Sequence, residues 1–121
     1  MSAPAEGAAV IWCPFPDEDT AAAAAGVLLD EGLVACANIL PSVRSLFVWQ
    51  GAREEAHEAA ALFKTRAQLL DAALARLGAI HPYDTPAAVG WHCDAAPATL
   101  EWLGGVGGIG GMAGQGAERS R

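Results

Sequence analysis

Three cysteines (Cys13, Cys36, Cys93), three histidines (His57, His81, His92) and one lysine, Lys64, are the ligand-type and nucleophilic side chains that stand out in this 121-residue chain. Their spacing builds no local site. There is no Cys-x-x-Cys, no His-x-x-x-His and no Cys/His cluster, so a metal centre exists only if the fold gathers distant residues. His92 and Cys93 are adjacent in a strand-like segment, which points them to opposite faces and keeps them off a shared ion. His57 stands among Glu54, Glu55 and Glu58 and reads as a solvated surface residue. The run Gly105-Val106-Gly107-Gly108-Ile109-Gly110 matches a dinucleotide fingerprint in form only, because no strand-helix-strand unit surrounds it and too little chain follows for a ribose-binding acid. No Ser-His-Asp or Cys-His pairing can be argued from spacing, and the sequence is read as that of a non-enzyme.

The elements that must position these groups follow from periodicity and punctuation. AAVIWC (8–13) is a short apolar run that stops at Pro14 and Pro16, as a buried strand before a turn does. Asp17 is a suitable N-cap, with Glu18 and Asp19 in the first turn of a helix that runs through five alanines to a stop at Gly32. From Val34 to Gln50 the chain reads as one long strand with a bend or bulge at Pro41, which cannot donate to a ladder. Beyond it Val43, Ser45, Phe47 and Trp49 alternate with Arg44, Leu46 and Val48. Residues 51–53 predict a hairpin turn into an antiparallel strand at 55–65. A helix opening at Thr65 or Arg66 carries Leu69, Leu70, Ala73, Leu74 and Leu77 at helical spacing, with Gly78 as its end. HPYDTP (81–86) is a turn, 87–93 a short strand and 98–104 a last short helix. The order predicts an α+β chain of the ferredoxin-like βαββαβ type with a short C-terminal helix and an antiparallel sheet. Its domains are an N-terminal extension (1–7), the folded unit (8–104) and a glycine-rich flexible tail (105–121).

Composition limits the partners. Apolar residues are 53% of the chain, yet 28 are alanine and only 26 are Leu, Ile, Val or Phe. Such a core is thin, so apolar surface is expected to be buried against other subunits. The net charge of −7, with scattered basic residues, argues against nucleic acid and against an anionic membrane surface. No signal peptide is evident at the start, and an odd number of cysteines without export signals points to free thiols; the expected location is the cytoplasm.

LVACANILP (33–41), SLFVWQG (45–51), Glu58 ahead of Lys64-Thr65, HPYDTP (81–86) and LEWL (100–103) together resemble the CutA divalent-cation tolerance family, over about residues 9–103. The resemblance implies a ferredoxin-like subunit in a cytoplasmic homotrimer, tied to tolerance of copper and other divalent metals. Carried over position by position, it implies metal ligands at Cys13, Glu58 and His81. A thiolate, a carboxylate and an imidazole suit copper or zinc better than magnesium or calcium. Lys64, Arg44 and Arg53 are the expected ordinary partners of Glu58, and Cys36, which matches a family cysteine, is expected inside. Phe47, Trp49 and Trp102 are expected near subunit contacts. Lys64 and Arg66, near the HPYDTP turn, are a possible anion-binding or ion-pairing group, which keeps open a PII-like ligand-sensing trimer as the alternative. A third reading is a structural oligomerisation module.

Overall fold

A computed structural model describes residues 7–107. The elements are β1 (Ala8–Phe15), α1 (Glu18–Asp30), β2 (Cys36–Trp49), β3 (Ala52–Arg66), a 3-10 turn (Ala67–Leu69), α2 (Leu70–Ile80), β4 (Val89–Cys93) and α3 (Pro97–Gly104). The four strands form one antiparallel sheet in the order β2-β3-β1-β4, the expected ferredoxin-like arrangement. Residues 1–6 and 108–121, and with them most of the expected extension and tail, lie outside the described residues.

Asp17 caps α1 as expected. Its side chain accepts from the Thr20 N–H at 2.8 Å, and the Thr20 hydroxyl oxygen accepts from the Asp17 N–H at 3.3 Å. The long second strand bulges where Pro41 predicts it: the register with β3 shifts between Leu40 and Val43. Several boundaries differ from expectation, some through local backbone chemistry and some through strand pairing. Strand β1 continues through Pro14 to Phe15, because β4 pairs only as far as Trp12 and the missing N–H falls on a stretch bordered on one side. The hairpin turn is Gln50-Gly51 rather than 51–53; both residues have positive φ, 51° and 81°, the tight two-residue form that matches strand twist. Strand β3 therefore starts at Ala52. Helix α2 starts after the 3-10 turn and passes through Gly78 to Ile80, ending where Pro82 forces His81 into extended backbone.

The core lies between the sheet and the two long helices. Ile11, Cys13 and Phe15 of β1 and Ala61 and Phe63 of β3 meet Ala21, Ala24, Ala25 and Leu28 of α1 and Leu70, Ala73 and Leu77 of α2. Small helix residues let the backbone approach the sheet closely, so Ile11, Phe15, Leu28, Phe63, Leu70 and Leu77 supply most of the bulk of the layer. Strand alternation sends Trp12 and Val89, and likewise Val10 and Trp91, to the opposite face, which no helix of the cluster covers. Phe47 and Trp49 extend that face past the bulge, and Val89, Trp91 and Trp49 remain 54%, 47% and 46% exposed. Cys36, expected inside, pairs with Lys64 on this open face and is half-buried, because Ala37 takes the inward position opposite Phe63.

Gly90 shows how tightly β4 is seated. A Cβ there would lie 2.7 Å from Leu70 Cδ1 and 3.1 Å from both Ile11 Cγ1 and the Val10 carbonyl oxygen. Gly90→Ala is therefore expected to cost about 1–3 kcal/mol through overpacking. Urea unfolding with an unchanged midpoint would contradict this.

Candidate functional site

The end of β1 gathers the chemistry. His81 follows the last turn of α2 and is 8% exposed, its ring stacked on Phe15 with centroids 4.5 Å apart. The Tyr83 N–H donates to His81 Nδ1 at 3.0 Å, which leaves Nδ1 as the acceptor and makes Nε2 the protonated nitrogen. Nε2–H then donates to the Pro14 carbonyl at 2.8 Å. The same carbonyl lies 3.5 Å from Sγ of Cys13, which is fully buried. Burial, and then the charge of Glu58, push the Cys13 thiol up to about 12, so it stays protonated at neutral pH.

Glu58 stands opposite Val43, one pair past the bulge. Within the chain its hydrogen-bond partner is not Lys64, Arg44 or Arg53. The Tyr83 hydroxyl donates to Glu58 Oε2 at 2.7 Å, while Arg44 pairs with Glu55 at 2.6 Å on the exposed hairpin. Burial and the Glu58 carboxylate raise the Tyr83 phenol to about 12. Glu58 also borders an open cleft of about 480 Å³ lined by Pro16, Asp17, Glu18, Asp19, Pro41, Ser42, His57 and Ala59. Four carboxylates and an imidazole face this cleft with no lysine or arginine among them. A cation approaching the end of β1 from this side meets an attractive field.

Cys13, Glu58 and His81 thus occupy one neighbourhood, linked through Pro14 and Tyr83. Their donor chemistry fits copper or zinc. They do not form a ready shell: among the described residues no three His, Cys, Asp or Glu side chains are grouped to hold one ion. Both His81 nitrogens are committed and the thiol is protonated, so loading requires bonds to be exchanged or further donors to be supplied. Tyr83 is the residue that sequence reasoning missed. It sits inside the quoted HPY motif, but only a folded chain shows that its hydroxyl reaches Glu58.

The two basic residues fall elsewhere. Lys64 pairs with Val10 and Arg66 with Ala8, at the start of β1, whereas His81 meets its end. The Arg66 Nε–H is spent on the Val106 carbonyl at 2.7 Å. Within one chain the length of β1 separates these residues from the HPYDTP turn. Phe47, Trp49 and Trp102 are all exposed in the single chain.

The family model for the CutA1 divalent ion tolerance protein matches residues 9–105. The divalent-cation tolerance protein CutA of Pyrococcus horikoshii is 37% identical over 95 residues, 78% of this chain and 92% of that one. That of Citrobacter koseri is 42% identical over 79 residues, 65% of this chain and 69% of the other. Among solved structures, CutA from Xylella fastidiosa has a TM-score of 0.76 at 36% identity, covering 80% of this chain and 94% of that one. The periplasmic divalent cation tolerance protein CutA from Archaeoglobus fulgidus gives 0.74 at 30% identity, covering 79% and 94%.

The raised thiol and phenol set a pH dependence. A group whose folded pKa is raised contributes stability that is complete below its unfolded value and is lost as pH climbs to the folded one. For Cys13 the loss runs from roughly 8.5 in the unfolded chain to about 12 in the folded one. Tyr83 adds a loss of the same sign from about 10 upward. Urea midpoints are expected to fall between pH 8 and 11, and Cys13→Ala is expected to shrink that fall. An alkaline rise in stability would contradict the assignment.

Proposed function

Because the chain belongs to the CutA1 divalent ion tolerance family, we propose that it is a non-catalytic, homotrimeric cation-tolerance protein whose cargo is copper or a chemically similar divalent ion. The observation that carries the reading is the meeting of Glu58, Cys13 and His81 around one strand end that opens onto an acidic cleft. Thiol, imidazole and carboxylate are the donors that soft and borderline ions select, and the cleft raises their local concentration. Since one chain does not close the shell, the ion is held after His81 and Cys13 exchange their present bonds, or with donors from a neighbouring subunit. The open sheet face with Phe47, Trp49, Val89 and Trp91 supports the trimer, as does the exposed Trp102. Three free cysteines agree with a cytoplasmic location.

Two measurements test this. Light scattering should give about three times the chain mass of 12.4 kDa; a single-chain mass overturns the trimer. Calorimetric titration with Cu(II) and Zn(II) should give binding tighter than about 100 μM. Displacing the Cys13 proton makes that affinity rise about tenfold per pH unit between 6 and 8. A pH-independent affinity, or one unaffected by Cys13→Ser and His81→Ala, removes these residues from the site.

A further inference from the structure

The glycine run that opens at Gly105 plays no part in the site at the end of β1, yet its first residues are seated against the folded body. Gly107 and Gly32 both have positive φ, 77° and 71°, and meet backbone to backbone. A Cβ on Gly107 would lie 2.6 Å from the Gly32 carbonyl oxygen and 2.9 Å from Leu69 Cδ1. One residue earlier, the Val106 carbonyl accepts from the Arg66 Nε–H at 2.7 Å. The turn after α1, the end of β3 and the segment after α3 are thus tied together at one point.

The tie matters because little else holds α3. The helix has eight residues and no side-chain bond at its N-cap. Leu103 is its one buried residue and stands outside the main core cluster. A short helix with one buried anchor and one terminal tie opens at a lower free energy than the sheet it packs on. We propose that residues 97–107 form a strap, latched by Gly107 and Arg66, that opens and closes as a unit while the sheet and the two long helices stay folded. Closed, it buries Leu103 and fixes where the exposed Trp102 is presented. Open, it frees the Arg66 guanidinium and uncovers the seat of Leu103.

Neighbouring glycines supply the controls. A Cβ on Gly104 meets nothing within 4 Å, and one on Gly105 meets the Trp102 carbonyl oxygen at 3.6 Å, an ordinary contact. Alanine is therefore accommodated at 104 and 105, whereas at 107 it meets backbone and a left-handed φ. A segment serving only as a linker would treat the three positions alike.

Amide hydrogen exchange of the full-length protein, followed by NMR, tests the strap. Trp102 and Leu103 amides are expected to exchange at least about tenfold faster than those of Ile11 and Phe63, which pair at the centre of the sheet. Gly90→Ala, which destabilises the body, should speed Ile11 and Phe63 and leave Trp102 and Leu103 unchanged. Gly107→Ala and, separately, Arg66→Met should speed Trp102 and Leu103 about tenfold, while Gly104→Ala and Gly105→Ala do not. Acceleration of Trp102 and Leu103 by Gly90→Ala in step with Ile11 and Phe63 overturns the strap as a separate unit. Exchange in Gly107→Ala or Arg66→Met no faster than in Gly105→Ala overturns the latch. Should Gly107→Ala fail to fold, Arg66→Met and Gly90→Ala decide.

Discussion

The bond from His81 to the Pro14 carbonyl fixes the geometry on which the site depends. It joins the C-terminus of α2 to the last residues of β1 at 2.8 Å, and it does so with a nitrogen whose proton is assigned by the Tyr83 N–H on the other side of the ring. Pro82 forces His81 out of helical backbone and so aims its ring at β1. Phe15 gives that ring a face to stack on. With the imidazole locked, Tyr83 is delivered to Glu58, whose charge bears on both the buried thiol and the phenol. Removing the imidazole leaves a buried carbonyl without its donor and a turn without its anchor, a loss larger than that of one surface hydrogen bond.

A second constraint is the shortage of large side chains. Alanines on α1, α2 and β3 line much of the buried layer, and Phe15, Phe63, Ile11, Leu28 and Leu77 supply most of its bulk. The remaining aromatic weight, three of the four tryptophans among it, is left at the surface: Trp49 and Trp91 on the open sheet face and Trp102 on α3. A chain that spends small residues inside and large ones outside is organised for contact with something else. The acidic cleft and the buried donors lie at the bulge end of the sheet, close to where that open face meets the hairpin.

Much of this was legible from residue order. Asp17 with Thr20, Pro41 at the bulge, and the alternation from Val43 to Trp49 each follow from a local rule and each holds in the fold. Boundaries failed where tertiary context decided the outcome. Nothing local in Gly78 shows that Pro82 would set the helix end, and the tolerance of Pro14 in β1 depends on how far β4 extends. The site was legible as a set of residue types and not as a network. Glu58 opposite a basic residue was a reasonable expectation from charge, but the bulge and the fixed turn bring a phenol to it first. Lys64 and Arg66 looked close to the HPYDTP turn until strand register put them at the other end of β1.

The network also satisfies each of these groups within the folded chain. A bare carboxylate and an open imidazole lone pair in a half-buried pocket would each carry a desolvation cost. Here Glu58 is satisfied by a hydroxyl, Nδ1 by an amide and the thiol by its own proton. On the proposed reading, an ion gains only the difference between its own bonds and these. Ions with weak preference for sulfur and nitrogen gain little from the exchange, while copper and zinc, which bind thiolate and imidazole strongly, gain most. Selectivity of this kind comes from what the ion must displace as much as from what it contacts, and it needs no rigid cage.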